Sequence, residues 1–332
     1  MKAAFIRHYG NNDAIEIGEQ PIPAVSPRDV LIKVHAASIN PVDYKIRDGD
    51  LKLILPLKFP SVLGNDCSGV VEKTGADVRA FKPGDAVYMR LDKDRIGSFA
   101  EYAVAAESGV ALKPNNLSHI EAASIPLVGL TAWQALIDIG KLKSGSKVLI
   151  HAGSGGVGSF AIQLAKHFGA TVATTASARN ADLLKRLGAD IVIDYKTQRF
   201  EGMLSDYDLV FDTQGGETQH RSFSVLKRGG TLVTIAGMPT AEIGREWGVN
   251  FLVRMVMAWS NRTSTKLARE GGVNFKYLFM HPSGEQLRDI AKLIESGAIK
   301  PLIDKVFDLD HLRDALAYSE SGRVVGKVVV EI

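Results

Sequence analysis

The chain has 332 residues, a formal net charge of +3, 45% hydrophobic and 23% charged residues. That length suggests about two domains, and the weak, evenly spread charge argues against nucleic acid or an anionic membrane as partner. No run of about 18 apolar residues is present, so no membrane span is expected.

The opening MKAAFIRHYG reaches Arg7 and His8 too soon for a secretory signal. Up to about residue 115, short β-rich segments follow one another between Pro and Gly: 29–38, 67–75, 85–89 and 98–105. The single cysteine, Cys67, falls on one of these strands. It allows no intrachain disulfide and no multi-cysteine zinc site, and it reads as a small buried hydrophobe. The plain compartment reading is cytoplasmic. From Ser118 the pattern turns helical, with Pro126 and Gly129 interrupting it. Strands are then expected at 147–152, 171–176, 190–194, 208–212 and 231–236, with helices between them. Such alternation argues for βαβ units and a parallel sheet covered on both faces. A sixth strand is expected at 273–280, and a helix follows with Leu287, Ile290, Ala291 and Ile294 on one face. The C-terminal GKVVVEI reads as a strand that returns to the N-terminal β-rich part.

Residues 148–177, VLIHAGSGGVGSFAIQLAKHFGATVATTAS, combine a buried strand, a glycine loop, an amphipathic helix and a second strand. Gly153, Gly155 and Gly158 have the G-x-G-x-x-G spacing. Such glycines permit a tight turn, close approach to a pyrophosphate and close helix–strand packing, while the helix N-terminus offers free N–H groups. Val157, Phe160, Ala161, Leu164, Ala165 and Phe168 recur on one helical face. The alternative is a glycine-rich turn in an unliganded sheet. An acid that would hold a ribose 2′-OH belongs about 20 residues beyond the first glycine. Thr174 to Arg179 contain none, and Asp182 is the first. A carboxylate would repel a 2′-phosphate, whereas Ser177 and Arg179 can donate to one. NADPH is therefore expected over NADH, with Arg179 as a solvated surface charge the bland alternative.

At this point the sequence resembles the medium-chain dehydrogenase/reductase superfamily, in particular its zinc-independent quinone oxidoreductases and NADPH-dependent enone (alkenal) reductases. The resemblance spans nearly the whole chain. It rests on NPVDYKIRDG (40–49), FPSVLGNDCSGVVEKTGADVRAFKPGDAVY (59–88), GSFAEYAV (97–104), PLVGLTAWQAL (126–136), AGSGGVGSFAIQLAK (152–166), LGADIVIDYK (187–196) and GRVVGKVVV (322–330). It implies an α/β protein with two domains. A GroES-like β-rich catalytic domain would occupy residues 1–123 with a C-terminal return at 281–332, and a Rossmann doubly wound parallel-sheet domain residues 124–280. The active site would lie in the cleft between them, a common place for ligand sites.

Zinc-dependent members carry a cysteine and a histidine ligand where this sequence has Asn40 and Asn65. Neutral Asn is a poor zinc ligand, so no metal is expected. Without a Lewis acid, reduction of a quinone or of a carbonyl-conjugated double bond fits better than alcohol oxidation. That chemistry needs a positioned nicotinamide, a donor to the developing enolate oxygen and a proton source. The resemblance points to Asn40 and Lys45 as donors. Asp43 would orient Lys45 or serve as a turn residue, and Tyr44 would be a wall residue or an acid. Lys45 has a surface lysine as its alternative. Other quinone oxidoreductases often place tyrosines at the positions of Lys45 and Leu51, so that proton donor does not carry over.

For the cofactor, the resemblance implies Thr131 near the nicotinamide and Ser154, Gly155, Gly156 and Val157 at the pyrophosphate. Tyr195 and Lys196 would border the adenosine, and Ala236, Gly237, Leu278 and Phe279 would offer backbone groups. Lys327 either reaches the cleft or is a solvated edge-strand charge, and Thr131 has a helix cap as its alternative. The Met-rich stretch FLVRMVMAW within 238–265 lines a pocket, forms a subunit interface or packs as ordinary core. The family commonly forms homodimers. Rival readings are an enoyl-thioester reductase and a non-catalytic NADPH-binding sensor or structural protein, which the fold alone does not separate.

Overall fold

The computed structural model describes residues 1–332, and the chain is α/β. It divides into two compact units, Met1–Leu130 with His281–Ile332, and Thr131–Met280. The division falls inside the helix Pro126–Trp133, a few residues beyond the expected break.

The first unit opens with β1 (Lys2–Ile6), β2 (Ile15–Glu19), β3 (Asp29–Ile39), β4 (Ser61–Val62), β5 (Asp66–Thr74), β6 (Ala86–Arg90), β7 (Tyr102–Ala106) and β8 (Val110–Leu112). The second contains β9 (Lys147–Ile150), β10 (Thr171–Ala176), β11 (Ile191–Asp194), β12 (Tyr207–Asp212), β13 (Leu226–Thr234) and β14 (Asn274–Tyr277). The chain then returns to the first unit with β15 (Ile303–Asp308) and β16 (Lys327–Glu331).

In the first unit β3 is the hub. Its eleven residues, DVLIKVHAASI, bury everything except Lys33 and His35. It pairs antiparallel with β5, β7 and β16. The sheet runs β15-β16-β3-β5-β6-β8, and β2-β1-β4 form a separate three-stranded sheet. The C-terminal strand thus returns to the β-rich unit, and it is interior rather than at an edge. The segment expected as a strand at 98–105 begins only at Tyr102. Phe99 instead bonds to Ala4 and Leu63 through its own backbone.

The second unit is a six-stranded sheet in the order β11-β10-β9-β12-β13-β14, with every neighbouring pair parallel. Val148, Leu149, Ile150, Val172 and Ala173 are fully buried, as expected of strands covered on both faces. Strand order reverses between β9 and β12, and in open α/β sheets the ligand crevice opens at such a switch point. Pro126 starts a helix rather than interrupting one, because its missing N–H costs nothing in the first turn. Gly129 lies inside that helix, which widens into a π-helical turn at Gln134–Ile139.

Candidate active site

The glycine loop sits at the C-terminal end of β9 and leads into the helix Gly156–His167. Ala152 enters it with a left-handed φ of 51°, an uncommon conformation for a residue with a Cβ. Gly153 donates its N–H to Thr175 O, and Gly155 to Ala152 O. Two of the glycines are required by packing. A Cβ on Gly153 would lie 2.1 Å from Thr174 Oγ1, and one on Gly158 would lie 2.4 Å from Ala152 O. Gly155 is different, since a Cβ there meets nothing closer than Ala152 O at 3.5 Å. The first-turn N–H groups at Gly156, Val157 and Gly158 have no intrahelical acceptor. Ser154, Gly155, Gly156 and Val157 are half-buried, so a cradle with open donors remains, and these residues fit a pyrophosphate.

Register brings the expected adenosine residues to one edge. Ala176 at the end of β10 stands opposite Asp194 at the end of β11, and Tyr195 N donates to Ala176 O at 3.3 Å. Ser177 caps a short turn, Arg179 is exposed on it, and Tyr195 and Lys196 are exposed beside them. The acid at this edge, Asp194, is occupied locally, accepting from Lys196 N and Thr197 Oγ1. At the ends of β13 and β14, Ala236 N bonds Thr234 Oγ1 and Leu278 N bonds Thr234 O. Gly237 is exposed, and the Phe279 ring packs edge-on to Trp247 at 4.4 Å. Thr131 is buried in the middle of its helix, so it is not a cap. Asp212, at the end of β12, was not legible as a site residue. Its buried carboxylate accepts from Gln214 N, Gly215 N and Thr234 Oγ1 and so shapes this same edge.

In the first unit, antiparallel register lines up four strand ends. Val328 faces Ile39, Ser38 faces Asp66, and Asp66 faces Arg90. Lys327, Asn40, Asp66 and Arg90 thereby meet at one end of the sheet, each at most 5% exposed. Asn40 Nδ2 donates to Ser38 O at 3.2 Å and Asp66 Oδ1 at 2.9 Å, while Lys327 Nζ donates to Asn40 Oδ1 and to Ile39 O. Asn65 is held in the same manner. Its Nδ2 donates to Asp43 Oδ1 at 2.6 Å, and Arg90 Nη2 donates to its Oδ1 at 3.3 Å. Ser38 Oγ and Leu127 N complete the coordination of Asp66. Burial pushes the Asp66 carboxyl up and the Lys327 ammonium down from their ordinary values. Burial, with the like charge of Asp66, pushes Asp43 up to about 7, against the hydrogen bond from Asn65.

These contacts bear on three expectations. Asn40 has both N–H bonds and its oxygen committed inside the unit, so it supports the site rather than offering a free donor. Asp43 is a turn residue: its carboxylate accepts Asn40 N at 2.7 Å at the start of the helix Pro41–Asp48. Lys327 is not a solvated edge-strand charge: it is buried on an interior strand, and its ammonium donates to Ile39 O and Asn40 Oδ1. Lys45, on the same helix, is exposed, and Tyr44 is half-buried with its hydroxyl pKa raised by desolvation. No group of three or more His, Cys, Asp or Glu side chains could hold a metal. Cys67 is fully buried, and its thiol pKa is pushed up.

The Met-rich helix Phe251–Ser260 buries only Met257 completely, so ordinary core packing does not describe it. Phe251, Leu252, Met255, Val256 and Trp259 are all more than half exposed.

Comparison with known proteins agrees with this arrangement. An alcohol dehydrogenase GroES-like domain matches residues 26–115, and a zinc-binding dehydrogenase family matches residues 187–330. The chain is 36% identical over 355 residues to the mitochondrial NAD(P)H oxidoreductase RTN4IP1 of Bos taurus, covering 100% of this chain and 89% of that one. It is 36% identical over 341 residues to the chloroplastic NADPH-dependent alkenal/one oxidoreductase of Arabidopsis thaliana, covering 99% and 79%. Among solved structures, the quinone oxidoreductase of Coxiella burnetii superposes with a TM-score of 0.88 at 34% identity, covering 100% and 99%. The organellar relatives overturn the cytoplasmic reading. Composition and a lone thiol do not read the address that carries a chain into a compartment. With both domain types, the glycine cradle and relatives matched along their length, the chain belongs to the medium-chain dehydrogenase/reductase superfamily, among its quinone and alkenal oxidoreductases.

Proposed function

We propose that this chain transfers a hydride to a quinone, or to the C=C bond of an α,β-unsaturated carbonyl, without a metal. It is an oxidoreductase and its cofactor is NADPH. When bound, NADPH supplies the hydride; the protein supplies placement and charge. Gly153 to Gly158 and the N–H groups of the following helix hold the pyrophosphate. Ser177, Arg179 and Lys196 receive the 2′-phosphate. Lys45 donates to the substrate carbonyl, and Tyr44 forms the adjoining wall.

One observation carries the metal-free reading. The two side chains at the ligand positions, Asn40 and Asn65, each have their oxygen committed to a buried cation. A divalent ion there would face the Lys327 ammonium and the Arg90 guanidinium, and the thiolate and imidazole donors that zinc favours are missing. NADPH oxidation with a panel of quinones, alkenals and enoyl thioesters, run with and without a chelator, tests the reading. Turnover of quinones or alkenals that survives chelation is expected. Turnover confined to thioesters, or lost with the metal, rejects it. A homodimer is also proposed, supported by the exposed apolar face of the helix Phe251–Ser260. Light scattering that reports a monomer at micromolar concentration would end that part of the proposal.

A further inference from the structure

Asn40 and Asn65 share one arrangement: oxygen to a buried cation, amide N–H to a buried carboxylate. A carboxamide suits this role because it accepts at one end and donates at the other within a fixed plane. Neither a thiolate nor a single imidazole nitrogen does both. The two relays meet at the first turn of the helix Pro41–Asp48. Asn40 N bonds one oxygen of Asp43, and Asn65 Nδ2 bonds the other. That turn leads directly into Tyr44 and Lys45.

Within the functional reading above, we propose that Lys327 is a positioning residue. Its ammonium fixes the Asn40 carboxamide and, through Asn40 and Asp43, the pose of the helix that presents Tyr44 and Lys45. The sequence hides this link, since 287 residues separate Lys327 from Asn40. Only the return of β16 alongside β3 joins them. Lys327 has a second consequence, because its charge balances Asp66. A simple Lys327→Met change therefore leaves a buried carboxylate without its counter-ion, which is destabilising for a reason unrelated to positioning. The two roles separate in a double variant, Lys327→Met with Asp66→Asn, read against Asp66→Asn alone, because Asp66 itself accepts from Asn40, Ser38 and Leu127.

The test measures thermal midpoint, kcat, and KM for NADPH in the wild type, in Lys327→Met, in Asp66→Asn and in the double variant, with an accepted quinone or alkenal. Positioning predicts that the double variant regains most of the midpoint lost in Lys327→Met. Its kcat should stay about tenfold or more below that of Asp66→Asn alone, with KM for NADPH within about twofold, a transition-state effect rather than lost cofactor binding. A double variant with the kcat of Asp66→Asn shows that Lys327 only balances charge, and the proposal falls. Wild-type kcat in Lys327→Met overturns it as well. If Lys327→Met does not fold, the double variant compared with Asp66→Asn carries the decision. Absence of any turnover by the wild type condemns the functional reading instead, so the two failures are told apart.

Discussion

Gly153 and Gly155 stand two residues apart in one loop, and a methyl group added to each should fail in different ways. At Gly155 the backbone is extended, φ −77° and ψ 170°, and a new Cβ meets only Ala152 O at 3.5 Å. That is ordinary contact, and Ala also restricts the unfolded chain, so Gly155→Ala should change folding stability by no more than about 0.5 kcal/mol in either direction. The methyl nevertheless stands at the helix N-terminus, where a pyrophosphate must approach the backbone. NADPH affinity should fall about tenfold or more, which is ~1.4 kcal/mol. At Gly153 the new Cβ lies 2.1 Å from Thr174 Oγ1 and 3.0 Å from Ile162 Cδ1. The Thr174 hydroxyl is fully buried and donates to Ile150 O at 2.7 Å, so it has no free space to yield into. Losing that bond costs about 1 kcal/mol and overpacking about 1–3, which puts Gly153→Ala about 2–4 kcal/mol below wild type. Adding Thr174→Ala removes the closest contact, leaving Ile162 Cδ1 at 3.0 Å, and should recover part of the loss. Urea unfolding gives the stabilities, and fluorescence titration gives NADPH affinity. Equal destabilisation by the two single variants, or Gly155→Ala with unaltered NADPH affinity, refutes the division into a packing glycine and a ligand glycine.

Ser177→Asp places a carboxylate at the end of β10 and should lower kcat/KM with NADPH by about tenfold or more while NADH is spared; steady-state kinetics with both cofactors decide it. Lys45→Ala should lower kcat/KM on an accepted enone, and a change within a factor of about two, ~0.4 kcal/mol, removes Lys45 from the chemistry. Burial raises the Asp43 pKa in the folded state from its ordinary 3.8 to about 7, so between those values the native state holds a proton that the unfolded chain has already released. The associated stability is complete below the unfolded pKa and is lost as pH rises through 7. Thermal midpoints across pH 4 to 8 should fall in that window for the wild type and flatten in Asp43→Asn.

The second unit was readable because each of its signals is local. The glycine spacing, the helical face from Val157 to Phe168 and the run TVATTA each lie within one element, and the strand at Thr171–Ala176 has the bounds expected for it. The first unit was only half readable. Strand β1 is a short buried run, and β2 and β15 mix buried and exposed positions without regular alternation, so periodicity had little to detect. The roles of Asp66, Arg90 and Lys327 were invisible for another reason. Each is a charge at the end of an apolar strand, and their meeting depends on the register of β16 on β3, β3 on β5, and β5 on β6. The apolar segment Phe251–Ser260 shows the converse limit. Its composition is that of a core helix, and only the three-dimensional arrangement reveals that most of it faces outward.

The strand-end cluster shows why a metal position cannot be emptied or filled one residue at a time. Two buried cations, Lys327 and Arg90, face two buried carboxylates, Asp43 and Asp66, and the two asparagines connect them. Removing any one of these groups leaves its partners buried with an unmatched charge or hydrogen-bonding atom, which is costly. Placing cysteine at 40 and histidine at 65 would restore the ligand types of a zinc dehydrogenase without restoring a zinc site. The thiolate would lie beside the Lys327 ammonium as an ion pair, and the imidazole would have to accept from Arg90 and donate to Asp43 in place of an amide. Both new ligands would be satisfied by the existing cations before any metal arrived. On the metal-free reading, the chemistry at Asn40 and Asn65 is therefore inseparable from a lysine at the other end of the chain and an arginine on a third strand.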